Sequence, residues 1–114
     1  MENKFHASLQ QAIEQLRKET PLPYTVLMQQ GSMSLEYFAP DKIDIQTPHK
    51  QDELYIIVRG SGFFYRNDQI ISFKAGDVLF VPAGMEHHFE NFTDDFATWV
   101  IFYGPEGGEN NQIN

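Results

Sequence analysis

The sequence predicts an all-β sandwich or barrel preceded by a single α-helix. Three observations predict it. Between residues 24 and 103, short runs rich in β-branched and aromatic residues alternate with turn residues at fairly regular spacing, the pattern of a closed or sandwiched antiparallel architecture. No helical stretch separates these runs, which excludes parallel βαβ units. The chain has 114 residues, enough for one domain, and its ten Phe and five Tyr supply large apolar groups for a packed interior.

The helix comes first. Phe5, Leu9, Ala12, Ile13 and Leu16 recur at three- and four-residue steps and form one apolar stripe. Glu14 and Lys18 stand four apart, Asn3 is a candidate cap, and Pro21 and Pro23 stop the helix. Residues 1–20 are therefore expected to be a helix packed on the outside of the domain, with packing on a second subunit as the rival reading. His6, alone on that helix, is expected at the surface.

Strands are expected at 25–29, 33–38, 53–59, 62–66, 69–73, 78–81, 87–91 and 96–103, within a domain spanning 24–103. Breaks fall at Gly31, Pro40-Asp41, Asn67-Asp68, Ala75-Gly76, Pro82–Gly84 and Thr93–Asp95. Gly60-Ser61-Gly62 has the composition of a phosphate loop. It lies between two strands rather than before a helix, so a hairpin is expected there. Residues 104–114, rich in Gly and Asn, are expected to be a disordered tail.

Charge and composition narrow the function classes. A formal charge of −8 and a pI near 4.8 argue against nucleic acid or anionic membrane as a partner. The absence of cysteine excludes disulfides and thiolate ligands, so any metal must be held by His, carboxylates or other oxygen donors. No apolar run follows the first Lys, and none approaches the roughly 20 residues of a membrane span. A cytoplasmic protein without a signal peptide is the expectation.

Two segments carry candidate chemistry. In TPHKQDELYIIVRG, Thr47, His49, Gln51, Glu53, Tyr55 and Ile57 share parity, so an extended chain points them to one face. A carboxylate and an imidazole facing the same way as Tyr55 and Ile57 are odd for a plain core. Burial of Glu53 is costly unless it is paired or bound to a cation. In GDVLFVPAGMEHHFEN, a strand enters the Pro82-Ala83-Gly84 turn and returns through His87. If that turn delivers His87 to the face of His49 and Glu53, two imidazoles and one carboxylate converge, the ligand set of facial-triad sites.

These segments resemble the two motifs of the cupin superfamily. Gly76, Pro82, Gly84, His87 and Asn91 occupy every position of the second motif, G-x5-P-x-G-x2-H-x3-N. In the first motif, G-x5-H-x-H-x3-4-E-x6-G, His49 takes the second His, Glu53 the Glu and Gly60 the last Gly. Asp41 replaces its leading Gly and Thr47 its first His. The resemblance implies a jelly-roll-like barrel, the double-stranded β-helix, with one divalent transition metal ion: iron, manganese, zinc, nickel or cobalt. Of the family's three His and one Glu, the chain keeps His49, Glu53 and His87. Water, substrate, Gln51 or Thr47 are left as candidates for the remaining positions.

Thr47, Gln51, Tyr55, Trp99 and Tyr103 are the expected pocket residues. Tyr55 shares parity with Glu53, and Trp99 and Tyr103 share one face of the last strand. His88 alternates away from His87, Asn91 ends its strand, and Arg59 is a rim charge. The resemblance allows a metal-dependent enzyme acting on a small organic molecule as oxygenase, isomerase or lyase. The alternatives are a non-enzymatic sensory or ligand-binding barrel and a purely structural one. With no helix-turn-helix segment and an acidic composition, a DNA-binding regulator is not expected. A homodimer is expected, both from the resemblance and from apolar surface on one sheet and the helix stripe.

Overall fold

The computed structural model describes residues 5–109. Its elements are α1 (Leu9–Arg17), β1 (Tyr24–Gln30), β2 (Met33–Phe38), β3 (Asp52–Arg59), β4 (Ser61–Arg66), β5 (Gln69–Lys74), β6 (Val78–Val81), β7 (His87–Glu90) and β8 (Ala97–Tyr103). Every expected strand is present, with no end displaced by more than one residue. Turn residues account for that accuracy. Asn67 and Asp68 both adopt positive φ, 46° and 69°, and Arg66 pairs directly with Gln69 across them. That is the backbone a two-residue hairpin requires, and Asn and Asp tolerate it.

The strands form two sheets, one ordered β1-β2-β8-β3-β6 and the other β5-β4-β7. All pairings are antiparallel. The main core lies between the sheets and includes Phe38, Tyr55, Ile57, Phe64, Phe73, Val81, Phe89, Phe96 and Val100. Along β3, Glu53, Tyr55 and Ile57 alternate inward as their shared parity requires.

The Gly60-Ser61-Gly62 run corrects one expectation. β3 pairs with β6 and β8, whereas β4 pairs with β5 and β7, so no hairpin joins β3 to β4. The run is a corner where the chain passes between sheets. Gly60 sits at φ 88°, and a Cβ there would stand 2.6 Å from the Phe96 Cα. Both the left-handed backbone and the close approach demand glycine.

α1 packs on the outer face of the larger sheet. Ala12, Leu27, Tyr37 and Ala97 form a second buried cluster there, joined by Leu9, Ile13, Leu16 and Trp99. The stripe is thus spent on the chain's own sheet. The helix also starts later than the stripe suggested. Ser8 is the cap, its side chain accepting from the Gln11 N–H at 3.0 Å, and Phe5 lies outside the helix, 95% exposed. A Ser followed three residues later by Gln is itself a start signal. Asn3, the expected cap, lies outside the described residues.

The segment expected as a tail turns back on the barrel over residues 104–109. The Gly107 N–H donates to the Lys50 carbonyl at 2.7 Å and the Glu109 N–H to Asp52 Oδ2 at 3.0 Å. Residues 110–114 lie outside the described residues. Among the described residues no helix is long and apolar enough to cross a membrane.

Candidate metal centre

Three elements deliver the site. Glu53 is the second residue of β3 and faces the space between the sheets. His49 lies in the irregular 39–51 segment, and its carbonyl accepts the Gly84 N–H at 2.8 Å. His87 opens β7 after the Pro82-Ala83-Gly84 turn. Buried Asp52 fastens that turn from beneath, its Oδ1 accepting the Ala83 N–H at 2.9 Å. One carboxylate thus couples the start of β3 to the turn that carries His87.

His49, Glu53 and His87 come together, each offering a ligand atom within 4.8 Å of the others'. Glu53 Oε1 stands 2.9 Å from His49 Nδ1 and 2.9 Å from His87 Nε2. Glu53 and His87 are each 1% exposed, and His49 is half-buried at the edge of the cluster. His87 Nδ1 lies 2.9 Å from the Met85 carbonyl. A carbonyl only accepts, so the proton of the neutral ring is on Nδ1 and the Nε2 lone pair is free. Nε2 makes no aligned hydrogen bond despite its nearness to Oε1, and Glu53 Oε2 also has no partner. Two buried polar atoms left unmatched are costly in any core.

The donor set fits a divalent transition metal. Neutral imidazole and carboxylate oxygen suit such ions, and neighbouring ligand atoms on bonds of about 2.1 Å stand roughly 3 Å apart, as both Oε1–imidazole contacts do. The Met85 carbonyl holds the His87 ring in place, the kind of outer support that metal-binding histidines commonly have.

Burial pushes the Glu53 carboxyl upward, but the adjoining His49 and His87 rings outweigh it and hold the group below 4.5. Burial pushes His87 down, but Glu53 and the Met85 carbonyl outweigh it and hold the imidazole above 6.5. Both are charged together between those values. In metal-free protein the stability from this pair is fully present between about pH 4.5 and 6.5. It fades as pH falls through the lowered Glu53 value and as pH rises through the raised His87 value. A metal held there would need His87 without its proton, so its affinity would rise with pH over that upper limb. Thermal unfolding of wild type and Glu53→Gln across this range, with chelator and with zinc, measures both trends. A chelated wild type whose advantage over the variant grows above pH 6.5 contradicts the assignment.

Beside the cluster lies a cavity of about 450 Å³, reaching it through His49 and lined also by Glu36, Phe38, Asp44, Thr47, Val100 and Phe102. That volume lies in the range of small-molecule sites, roughly 300–1,000 Å³. Burial raises the Glu36 carboxyl, His49 lowers it, and Glu53 adds to the rise. Tyr55, fully buried, donates to Gln46 Oε1 at 3.1 Å. Burial and the nearby Glu53 drive its phenol well above 10.0.

The expected pocket residues divide. Thr47 lines the cavity, and Tyr55 stands beside His87 with ring centroids 6.2 Å apart. Gln51 does not line that cavity but borders a neighbouring depression beside His49, its amide donating to the Ser32 and Gly104 carbonyls at 2.8 and 2.9 Å. Trp99 packs edge-on against Tyr37, centroids 5.6 Å apart, on the helix-covered face. Tyr103 shares its parity and so points away from the cluster. On β8 it is Val100 and Phe102 that face inward, and Phe102 meets His49 edge-on at 4.8 Å. His88 faces away as expected, stacked on Tyr65. Asn91 ends β7 at φ 50°.

Glu36, Asp44 and Gln46 were not anticipated. For Glu36 a signal existed, since it shares parity with Phe38 and so is a carboxylate on the inward face of a strand. Asp44 and Gln46 lie in irregular chain, where no period marks them.

The profile of the cupin domain matches residues 34–103. This chain belongs to the cupin family. The cupin is 33% identical over 85 residues to an uncharacterised protein of Streptomyces coelicolor, covering 73% of this chain and 81% of that one. It is 41% identical over 64 residues to acireductone dioxygenase 1 of Pectobacterium atrosepticum, covering 52% of this chain and 37% of the relative. It is also 41% identical over 46 residues to an oxalate-binding protein of Thermotoga maritima, 38% of each chain. The cupin thus spans well under half the length of those last two relatives. Its fold matches the crystal structure of a cupin superfamily protein from Desulfitobacterium hafniense with a TM-score of 0.62, at 22% identity over 90% of this chain and 97% of that one.

Proposed function

We propose that this cupin is a metal-dependent enzyme. It holds one divalent transition metal ion through His49, Glu53 and His87 and acts on a small organic molecule in the adjoining cavity. The observation that carries this reading is the buried pair Glu53 and His87 beside His49: Glu53 Oε2 has no partner, and His87 Nε2, though 2.9 Å from Oε1, makes no aligned hydrogen bond. A fold built only for stability does better with apolar groups at such positions. A bound cation would act there as a Lewis acid or as an activator of oxygen or water. The chain's own residues supply the rest. Phe64 packs beside buried His87 and Phe102 meets His49 edge-on, the Met85 carbonyl orients His87, and Tyr55 with Gln46 walls off the inner side. With Thr47 where the family's first ligand stands, only three protein ligands remain, which leaves positions open to substrate. The partial likeness to a dioxygenase supports the reading, and that to an oxalate-binding protein supports its rival, a ligand-binding barrel without turnover.

Elemental analysis of protein purified without a metal-affinity tag is the test. Close to one equivalent of iron, manganese, zinc, nickel or cobalt is expected. A folded protein that retains none, and takes up none on dialysis against these ions, defeats the proposal. Product formation then separates enzyme from carrier.

The same proposal includes a homodimer. With the helix stripe covered internally, its support is the apolar surface on strands β5 and β6, where Ile70 and Val78 are each 58% exposed. These strands end their sheets and leave free edges. Sedimentation at equilibrium is expected to give a dimer for wild type and a monomer for Val78→Lys. A monomeric wild type removes this part of the proposal.

A further inference from the structure

The cavity wall carries an asymmetry of charge. Its ionic side chains other than His49 are Glu36 and Asp44, and neither Lys nor Arg is among the residues lining it. Lys50 lines a neighbouring depression that shares Glu36, His49 and Phe102 with this cavity, but it is 81% exposed and leans toward Glu106 Oε2 at 3.9 Å. Asp44 is committed to its own loop. Its Oδ2 accepts the Phe89 N–H at 2.9 Å and the Gln46 amide at 2.6 Å, and Oδ1 accepts the Gln46 N–H at 3.3 Å. Glu36 differs. Among the described residues it has no ion-pair partner, and it is half-buried on the inward face of β2 next to Phe38.

A carboxylate without a partner on the wall of a part-apolar cavity favours a hydrogen-bond donor and repels an anion, because low local dielectric strengthens both effects. A divalent ion at the neighbouring cluster does not reverse this, since Glu53, Glu36 and Asp44 carry three formal negative charges against its two. Phe38, Val100 and Phe102 supply the apolar remainder of the wall.

Resting on the reading of this cavity as the ligand site, we infer that Glu36 selects its occupant: a small, partly apolar molecule that presents an amino or hydroxyl group to that carboxylate, in preference to a carboxylate or phosphate ligand. Glu36 is a specificity residue. It is not a member of the His49, Glu53 and His87 cluster.

Three probes of one shape test this: cyclohexylmethylamine, cyclohexanecarboxamide and cyclohexanecarboxylate, titrated by NMR into chelator-treated wild type and Glu36→Gln. In wild type the amine is expected to bind at least about tenfold tighter than the carboxylate, and Glu36→Gln to reduce that ratio to about threefold or less. The amide should fall between them. Gln is isosteric with Glu, and an unchanged melting temperature verifies that the variant is folded. An unaltered ratio in Glu36→Gln, tightest binding of the carboxylate by wild type, or binding of none of the three overturns the inference. Repeating the series after zinc loading, with metal content measured in the same samples, judges the metal site separately. Equal zinc uptake by both proteins is expected, and loss of zinc in Glu36→Gln would make Glu36 a ligand instead.

Discussion

Glu53→Gln is expected to abolish stable metal retention while leaving the barrel folded. The side chain keeps its shape, so packing against Val81 across β3 and β6 changes little. What changes is the donor. A neutral amide oxygen replaces the only carboxylate in the cluster of His49, Glu53 and His87, and the charge that draws a divalent cation into a buried position is gone. Loss of an outer support costs a site about 10–100-fold in affinity, and loss of a ligand at least the upper end of that range. The measurable consequence is thermal. Wild type at a metal concentration of about 100 Kd gains roughly 2.7 kcal/mol of stability, whereas the variant gains little at the same concentration. In metal-free protein the variant is not severely destabilised, because the carboxylate has an unmatched oxygen, Oε2, and its desolvation opposes folding. Melting curves with and without metal distinguish the cases. A variant that keeps the full metal-induced shift removes Glu53 from the ligand set.

This duality explains what was legible in the sequence. The strands were, because β-propensity and turn chemistry are local properties, as Asn67-Asp68 between β4 and β5 illustrates. Glu53 and His87 were legible for another reason: they are polar residues on parities that otherwise belong to the core, and motif spacing singles them out, whereas His49 lies before β3 and is marked by motif spacing alone. What failed was non-local. The parity of β8 does not reveal which face is interior, because α1 covers the outer face of the sheet and both faces are therefore apolar. Trp99 packs near that helix while Val100 and Phe102 face the cavity. Gly60-Ser61-Gly62 carries the chemistry of a turn, but nothing in those three residues states that the strands on either side enter different sheets. Gln51 shares parity with Glu53, yet it lies before β3, where alternation no longer governs direction, and the Ser32 and Gly104 carbonyls take its amide. Glu36 is the converse case, a polar residue on the inward parity of β2 with no motif to draw attention to it.

The largest effect on stability is expected at Phe89, two residues beyond His87 on β7. Its ring is 1% exposed and lies with centroids 4.8 Å from Phe64, 4.9 Å from Tyr55, 5.3 Å from Phe73 and 4.7 Å from Phe96. It therefore joins side chains of both sheets. Phe89→Ala removes those contacts and leaves a cavity that β-sheet backbone on two sides cannot collapse to fill, at a cost of about 3–5 kcal/mol. Native stability of a domain this size is only about 5–15 kcal/mol, so the variant stands near its folding threshold. The site should loosen with it. The Phe89 N–H donates to Asp44 Oδ2, which anchors the loop carrying Gln46, Thr47 and His49, while the same strand begins with His87. Phe89→Leu, which keeps most of the apolar volume and the same backbone donor, should recover much of the stability and the metal affinity together. Denaturant unfolding and metal titration on the two variants test the coupling. If Phe89→Ala binds metal as tightly as wild type under conditions where it is folded, the centre is held by β3 and the 82–84 turn alone, and the aromatic core beneath it serves only the fold.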